Sequence, residues 1–242
     1  MYLLAIITVL LSFSAFPIQS QAGDKGTLKE VVKIHYKLPP ELEFARGDHG
    51  KPVAQCTVTQ NDNVNDYGLT GWHMPAGGLT YKIANKTLPA NINFTEFASA
   101  IGRATSTWES ASYSEWNYGG TTTIKRSAAD GVNVVAFGGA SGGIAVTRTW
   151  YWTDTGEVAE SDVIFSSNLA WSITNPGAGD CGGATNAYDV QNIATHEFGH
   201  QVGLNDLYNS ADRDLTMYGY GTMKELKKDT LGSGDISGAH AI

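Results

Sequence analysis

Thr195-His-Glu-Phe-Gly-His-Gln-Val-Gly-Leu-Asn-Asp206 is the stretch on which the reading of this chain turns. In it His196 and His200 stand four residues apart. On a helix that spacing puts two imidazoles on one face, where both can reach a single divalent ion. Val190, Ala194, Phe198 and Val202 form the adjoining apolar stripe, and Glu197 falls at the border between the two. A carboxylate held there by packing, beside a metal yet not needed as a ligand, suits a general base. A composition-matched random chain would contain His-Glu-x-x-His about 0.6% of the time; requiring the later Gly and Asp as well lowers this to roughly four in a hundred thousand.

Gly203 is placed to end that helix, because a residue just past the last turn must often take positive φ. The turn brings Asp206 back toward the two imidazoles; Asn205, Asp212 and Asp214 are the other candidates for a third ligand. Two His and one carboxylate leave a fourth position for water, the pattern of catalytic rather than structural zinc.

Working outward, a helix is expected to begin near Asp189 and to end at Gly203. Upstream, Leu79–Ala84 alternates as a strand. Phe94, Phe97, Ala98, Ile101, Thr105, Trp108 and Ala111 recur at helical spacing behind Asn93 as N-cap. Strand-like runs follow at Thr121–Lys125, Val132–Phe137, Gly143–Trp152 and Asp162–Ser166, with a turn at Asp154-Thr-Gly156. A short helix closes the chain at Gly234–Ala241. Strand, helix, several strands and helix again make an α+β domain. The aromatics Trp150-Tyr-Trp152 read as sheet packing, and Asn85 and Asn93 open glycosylation acceptor triplets of no proven use.

Residues 23–70 read as an N-terminal extension or pro-segment: Val31–Leu38 alternates as one strand, and the remainder is loop-like. His35, His49, His73 and His240 are isolated and read as surface residues. Residues 1–22 carry no charged side chain and read as a secretory signal peptide, too short in its apolar run to span a bilayer. An uncleaved anchor is the alternative. In an oxidising compartment the only cysteines, Cys56 and Cys181, are expected to form a disulfide, which closing so long a loop would make worth roughly 4 to 5 kcal/mol. Two separate thiols, or Cys56 as an inhibitory metal ligand, are the other readings.

The chain has 242 residues, 42% hydrophobic, with a formal net charge of −8 and no basic cluster. That excludes a binder of nucleic acid, which needs Lys and Arg gathered on one face. With 6 Trp, 11 Tyr and 8 Phe it can form a core, so disorder is excluded too. No Gly-x-Ser-x-Gly or phosphate-cradling Gly-x-x-x-x-Gly-Lys is present.

His196-Glu-x-x-His200-x-x-Gly203-x-x-Asp206, followed by Leu215-Thr-Met-Tyr-Gly219, resembles the metzincin metalloproteases. It is most similar to the matrixin-like secreted peptidases, in the snapalysin-like variant where Asp stands for the third histidine. The resemblance implies a catalytic domain over residues 71–242, with a twisted, mostly parallel sheet, an antiparallel edge strand, a long first helix and the active-site helix. It implies one catalytic zinc on His196, His200 and Asp206, Glu197 as general base, and Met217 in the turn beneath the metal. The substrate, a polypeptide, would add as a strand to the edge formed by Gly143, Ile144, Ala145 and Val146. Tyr218, Gly219 and Tyr220 would form part of the cleft wall.

Three features depart from the family pattern. Asp206 adds a negative charge beside the metal, Ala54-Gln-Cys-Thr-Val58 does not match the cysteine switch, and Gly219 stands where some metzincins place a tyrosine ligand. Calcium is compatible with such a protein, but no EF-hand-like run places a site. The function expected is a secreted, monomeric zinc endopeptidase. The alternatives are a non-catalytic, metal-stabilised binding module on the same scaffold and a secreted adhesion or carbohydrate-binding β protein.

Overall fold

The computed structural model describes residues 26–44, 64–175 and 186–242. The expected signal peptide, His49, Cys56 and Cys181 lie outside the described residues, so the disulfide does as well. In chain order the main elements are β1 (Leu28–Lys37), α1 (Pro40–Phe44), β2 (Leu79–Ile83), α2 (Phe94–Glu109), β3 (Trp116–Thr121), β4 (Asn133–Gly138), β5 (Ala145–Trp152) and β6 (Val158–Ser166). Then come β7 (Trp171–Ser172), β8 (Tyr188–Asp189), α3 (Val190–Val202), β9 (Tyr220–Gly221) and α4 (Ser233–His240).

The seven-stranded sheet has the order β3-β2-β4-β6-β5-β1-β9. Pairs β2–β3, β2–β4 and β4–β6 are parallel, and β5 runs antiparallel to β6. This is the mostly parallel sheet expected of the family, with one difference: β5 is not an edge. The extension segment β1 lies antiparallel along its free side, and β9 pairs in parallel beyond it. Residues 28–37 are thus part of the sheet rather than a detached arm. The expected strand at Thr121–Lys125 lies earlier, at Trp116–Thr121, where β2 offers a parallel partner.

Alternation along the strands sorts side chains to two faces. Val135, Phe137, Val163 and Phe165 join the large cluster under α2 and α3, while Val134, Ala136 and Ile164 form a smaller cluster on the opposite face with Ala84, Ala140 and Val146. Phe97, Ala100, Ile101, Ala104, Thr105 and Trp108 are the buried stripe of α2. Asn93 caps that helix, its side chain accepting from Thr95 N at 2.8 Å and Glu96 N at 3.3 Å. Trp150 is buried in the sheet, in keeping with a packing role.

Helix α3 is buried over its whole length, between the sheet and α2. Asp189 caps its N-terminus by accepting from Asn192 N at 3.0 Å, and the same carboxylate accepts from Thr174 N at 2.8 Å. Two glycines let α3 sit so deep. A Cβ on Gly199 would lie 2.3 Å from Met217 Sδ and 2.7 Å from Trp108 Cζ2, and Gly203 takes φ 125° beside the Trp72 carbonyl.

Candidate metal centre and active site

The C-terminus of α3 turns at Gly203, with the N–H groups of Gly203 and Leu204 both donating to Gly199 O. Three residues later Asp206 faces back toward the helix. Its Oδ1 lies 3.2 Å from His196 Nε2 and 3.5 Å from His200 Nε2. Metal–ligand distances of about 2.0–2.1 Å in a tetrahedron place ligand atoms about 3.3 Å apart, so the trio has the dimensions of a zinc site.

The outer contacts decide which atoms face inward. His196 Nδ1 lies 2.7 Å from Thr216 O, and His200 Nδ1 lies 2.8 Å from Leu204 O. A carbonyl only accepts, so each Nδ1 carries the proton and each Nε2 presents a lone pair to the Asp206 carboxylate. Both Nε2 atoms and Asp206 Oδ1 are buried without a hydrogen-bond partner. Three acceptors converging out of water are costly alone and favourable around a cation. The residues fit the metal.

The rival third ligands sit elsewhere. Asn205 bonds Lys33 and the Leu69 carbonyl. Asp212 is buried in a turn next to Asp66, and Asp214 is part-exposed among Lys227 and Arg213. Burial alone would raise the Asp206 carboxyl; positive charge at His200 and His196 counters this and draws it below the usual carboxylate range, a role that a cation takes when both Nε2 atoms present lone pairs.

Glu197 is buried beside this trio. Its Oε2 accepts from Thr147 Oγ1 on β5 at 2.5 Å, whereas Oε1 has no hydrogen-bond partner. Burial pushes its carboxyl up to about 7, which suits a group that must accept and release a proton near neutrality. Met217 is buried beneath α3 against Gly199. Its backbone N–H and that of Thr216 both donate to Asp235 on α4, at 3.0 and 2.7 Å. Asp235 therefore shapes the turn that carries both Met217 and the carbonyl partner of His196.

The expected cleft residues are present but covered. Ile144, Ala145 and Val146 are buried, with Ile34 and His35 of β1 lying across Val146 and Ala145. Tyr218 is buried, and Gly219 and Tyr220 contact β1 at Tyr36.

His35 is the main correction to the sequence reading. It is wholly buried, its ring 3.8 Å from that of His196 and its Nδ1 3.6 Å from Glu197 Oε1. His73 is half-buried, bonding the carbonyls of Met74 and Thr155, and His240 is exposed as expected. Lys228 was also missed: fully buried, it donates to Tyr218 O and to His35 Nε2, the latter at 3.1 Å. Alternation in Val31–Leu38 does place His35 on an inward face. Nothing local, however, pairs it with residues near the other end of the chain.

Among the described residues, metal-competent side chains gather into two overlapping groups, His196–His200–Asp206 and His35–His196–Glu197. Neither is the oxygen-only set that calcium takes. No helix among the described residues is long and apolar enough to cross a membrane.

A buried helix bearing two imidazoles and a carboxylate, beneath a mostly parallel sheet, defines a metallopeptidase-type centre. The family model described as Matrixin matches residues 71–242, and the chain belongs to this family of zinc metallopeptidases. Among curated proteins none matches the sequence.

Proposed function

We infer that this chain is a secreted zinc-dependent endopeptidase whose metal is held by His196, His200 and Asp206. The observation that carries the reading is the convergence of three unpartnered acceptor atoms at zinc-ligand spacing, with the Glu197 carboxylate beside them. Zinc in that position supplies Lewis acidity to the scissile carbonyl and lowers the pKa of water toward about 7.

The chain's own groups do the rest. Glu197 accepts a proton from the attacking water through one carboxylate oxygen while Thr147 holds the other, and then passes that proton to the leaving amine. The Thr216 and Leu204 carbonyls keep both imidazoles in the ligating tautomer. Asp206 as third ligand, where a third histidine is usual, makes the site more anionic. The uncharged, apolar N-terminus supports export.

The test is cleavage of an unfolded protein by the zinc-loaded chain, with and without a chelator. Glu197→Ala should lower the rate about 10²- to 10⁴-fold while stoichiometric zinc remains bound. A Glu197→Ala protein of undiminished activity, or a wild-type chain that takes up no zinc, would overturn the reading. The same assay separates a peptidase from a binding module that uses the metal only for stability.

A further inference from the structure

Lys228 carries a charge into a place fully closed to water. It stands on a single helical turn, Lys227–Asp229. Its backbone N–H donates to Asn192 Oδ1 of α3 at 2.8 Å, and the next carbonyl, Asp229 O, accepts from Thr107 Oγ1 of α2 at 3.2 Å. The turn is thus pinned to both helices, and the lysine side chain reaches from it to the metal centre.

There Nζ donates to Tyr218 O and, at 3.1 Å, to His35 Nε2. A third neighbour is of another kind. Nζ lies 3.5 Å from His196 Nδ1, which already gives its proton to Thr216 O. Two proton-bearing nitrogens cannot bond each other. Positive charge therefore sits against the outer edge of the imidazole whose Nε2 faces Asp206.

Hydrogen bonding alone does not call for an ammonium in this position. An amide would serve the Tyr218 carbonyl without a buried charge, which is costly unless other charges offset it. The offset is not a simple ion pair with Glu225. Its Oε1 lies 3.2 Å from Lys227 Nζ, and its Oε2 accepts from Thr222 N at 3.0 Å. Burial draws the Lys228 pKa down to about 8, and the carboxylates of Glu225, Asp206 and Asp235 limit the fall.

Asp206 gives the charge a purpose. On two neutral imidazoles and one carboxylate a divalent ion retains a single net positive charge; on three imidazoles it would retain both. Lys228 supplies the missing one. A cation so close also repels the ion, so metal should be held less tightly because of it.

We propose that Lys228 is a positioning residue of the metal centre: its ammonium, against the outer edge of His196, offsets the charge that Asp206 brings, so that a bound divalent ion is held less tightly and keeps its Lewis acidity. The rate consequence rests on the peptidase reading; the effect on metal affinity does not. The rival role is a prop for the Tyr218 carbonyl, and the two differ in sign. Loss of a prop weakens metal binding and catalysis together, whereas loss of the charge moves them in opposite directions.

The experiment uses the full chain, stripped of metal and titrated with zinc against a chromophoric chelator. Lys228→Gln removes the charge and keeps a donor for Tyr218 O; Lys228→Met removes both at similar length. Each should bind zinc about tenfold more tightly than wild type or better. Zinc-loaded Lys228→Gln should hydrolyse an unfolded protein with kcat/KM lowered about tenfold or more. Zinc affinity that is unchanged or weaker in the neutral variants overturns the proposal, as does tighter zinc with an undiminished rate. Neutral variants that do not fold would assign Lys228 to the fold and overturn it as well. Tighter zinc in both variants, with the zinc-loaded wild type inactive on every polypeptide, would retain the charge effect and reject the peptidase.

Discussion

Asp206 is a carboxylate whose position is set by a turn and whose ionised form is favoured by positive charge among the groups it faces. As the proposed third ligand, its loss should cost more metal affinity than the roughly 10- to 100-fold typical of losing an outer partner. Asp206→Ala is accordingly expected to lower zinc affinity more than 100-fold, measured by competition with a chromophoric chelator. Asp162 on β6 is a different kind of buried carboxylate. It accepts from Val134 N at 2.7 Å and Ala128 N at 3.2 Å, yet burial raises its pKa to about 7. The folded chain then keeps a proton that the unfolded chain releases near the ordinary carboxylate pKa. Wild-type stability should fall as pH rises from about 4 to about 7, and level off above. Asp162→Asn lacks this titration, so denaturant unfolding at pH 5 and pH 8 should show the variant gaining on wild type at the higher pH, by a few kcal/mol at most. A difference independent of pH would refute the assignment.

Among the elements, α3 was the most legible, because its periodicity, the Asp189 cap and the Gly203 stop are all local. The expected α2 and its Asn93 cap were local as well. What periodicity did not reveal is that α3 would be buried on every side, which depends on α2, the sheet and β1 together. Gly199 shows the difference. By helix propensity alone Gly199→Ala should stabilise α3 by roughly 0.8–1 kcal/mol. The Cβ, however, would meet Met217 Sδ and the Trp108 ring. We expect net destabilisation of about 1–3 kcal/mol, read from thermal or denaturant unfolding; an unchanged or raised stability would show that Met217 yields freely. The strand misplaced by sequence reading, β3, was mistaken for its threonine-rich neighbour. β propensity marked residues that suit a strand, while the parallel register against β2 decided which ones paired.

For the molecule as a whole, the active-site turn depends on the far end of the chain. Asp235 on α4 accepts from the backbone N–H groups of Thr216, Met217 and Gly232. Asp235→Ala would leave three buried donors unpaired, a loss of about 3 kcal/mol or more. It should also reduce zinc affinity by freeing the carbonyl that orients His196; loss of stability with metal binding unchanged would show that the turn holds itself. By itself the sequence determined the local arrangement: His196, Glu197 and His200 share one helix because their spacing matches its period, and Gly203 supplies the turn that returns Asp206. Only the tertiary structure decided what lies along the free side of β5. His35 and Lys228 are 193 residues apart, and strand β1 meets β5 and β9 through backbone groups that every residue carries. Backbone pairing leaves no mark on residue identity, so alternation could announce a strand at residues 31–38 without saying where it would lie.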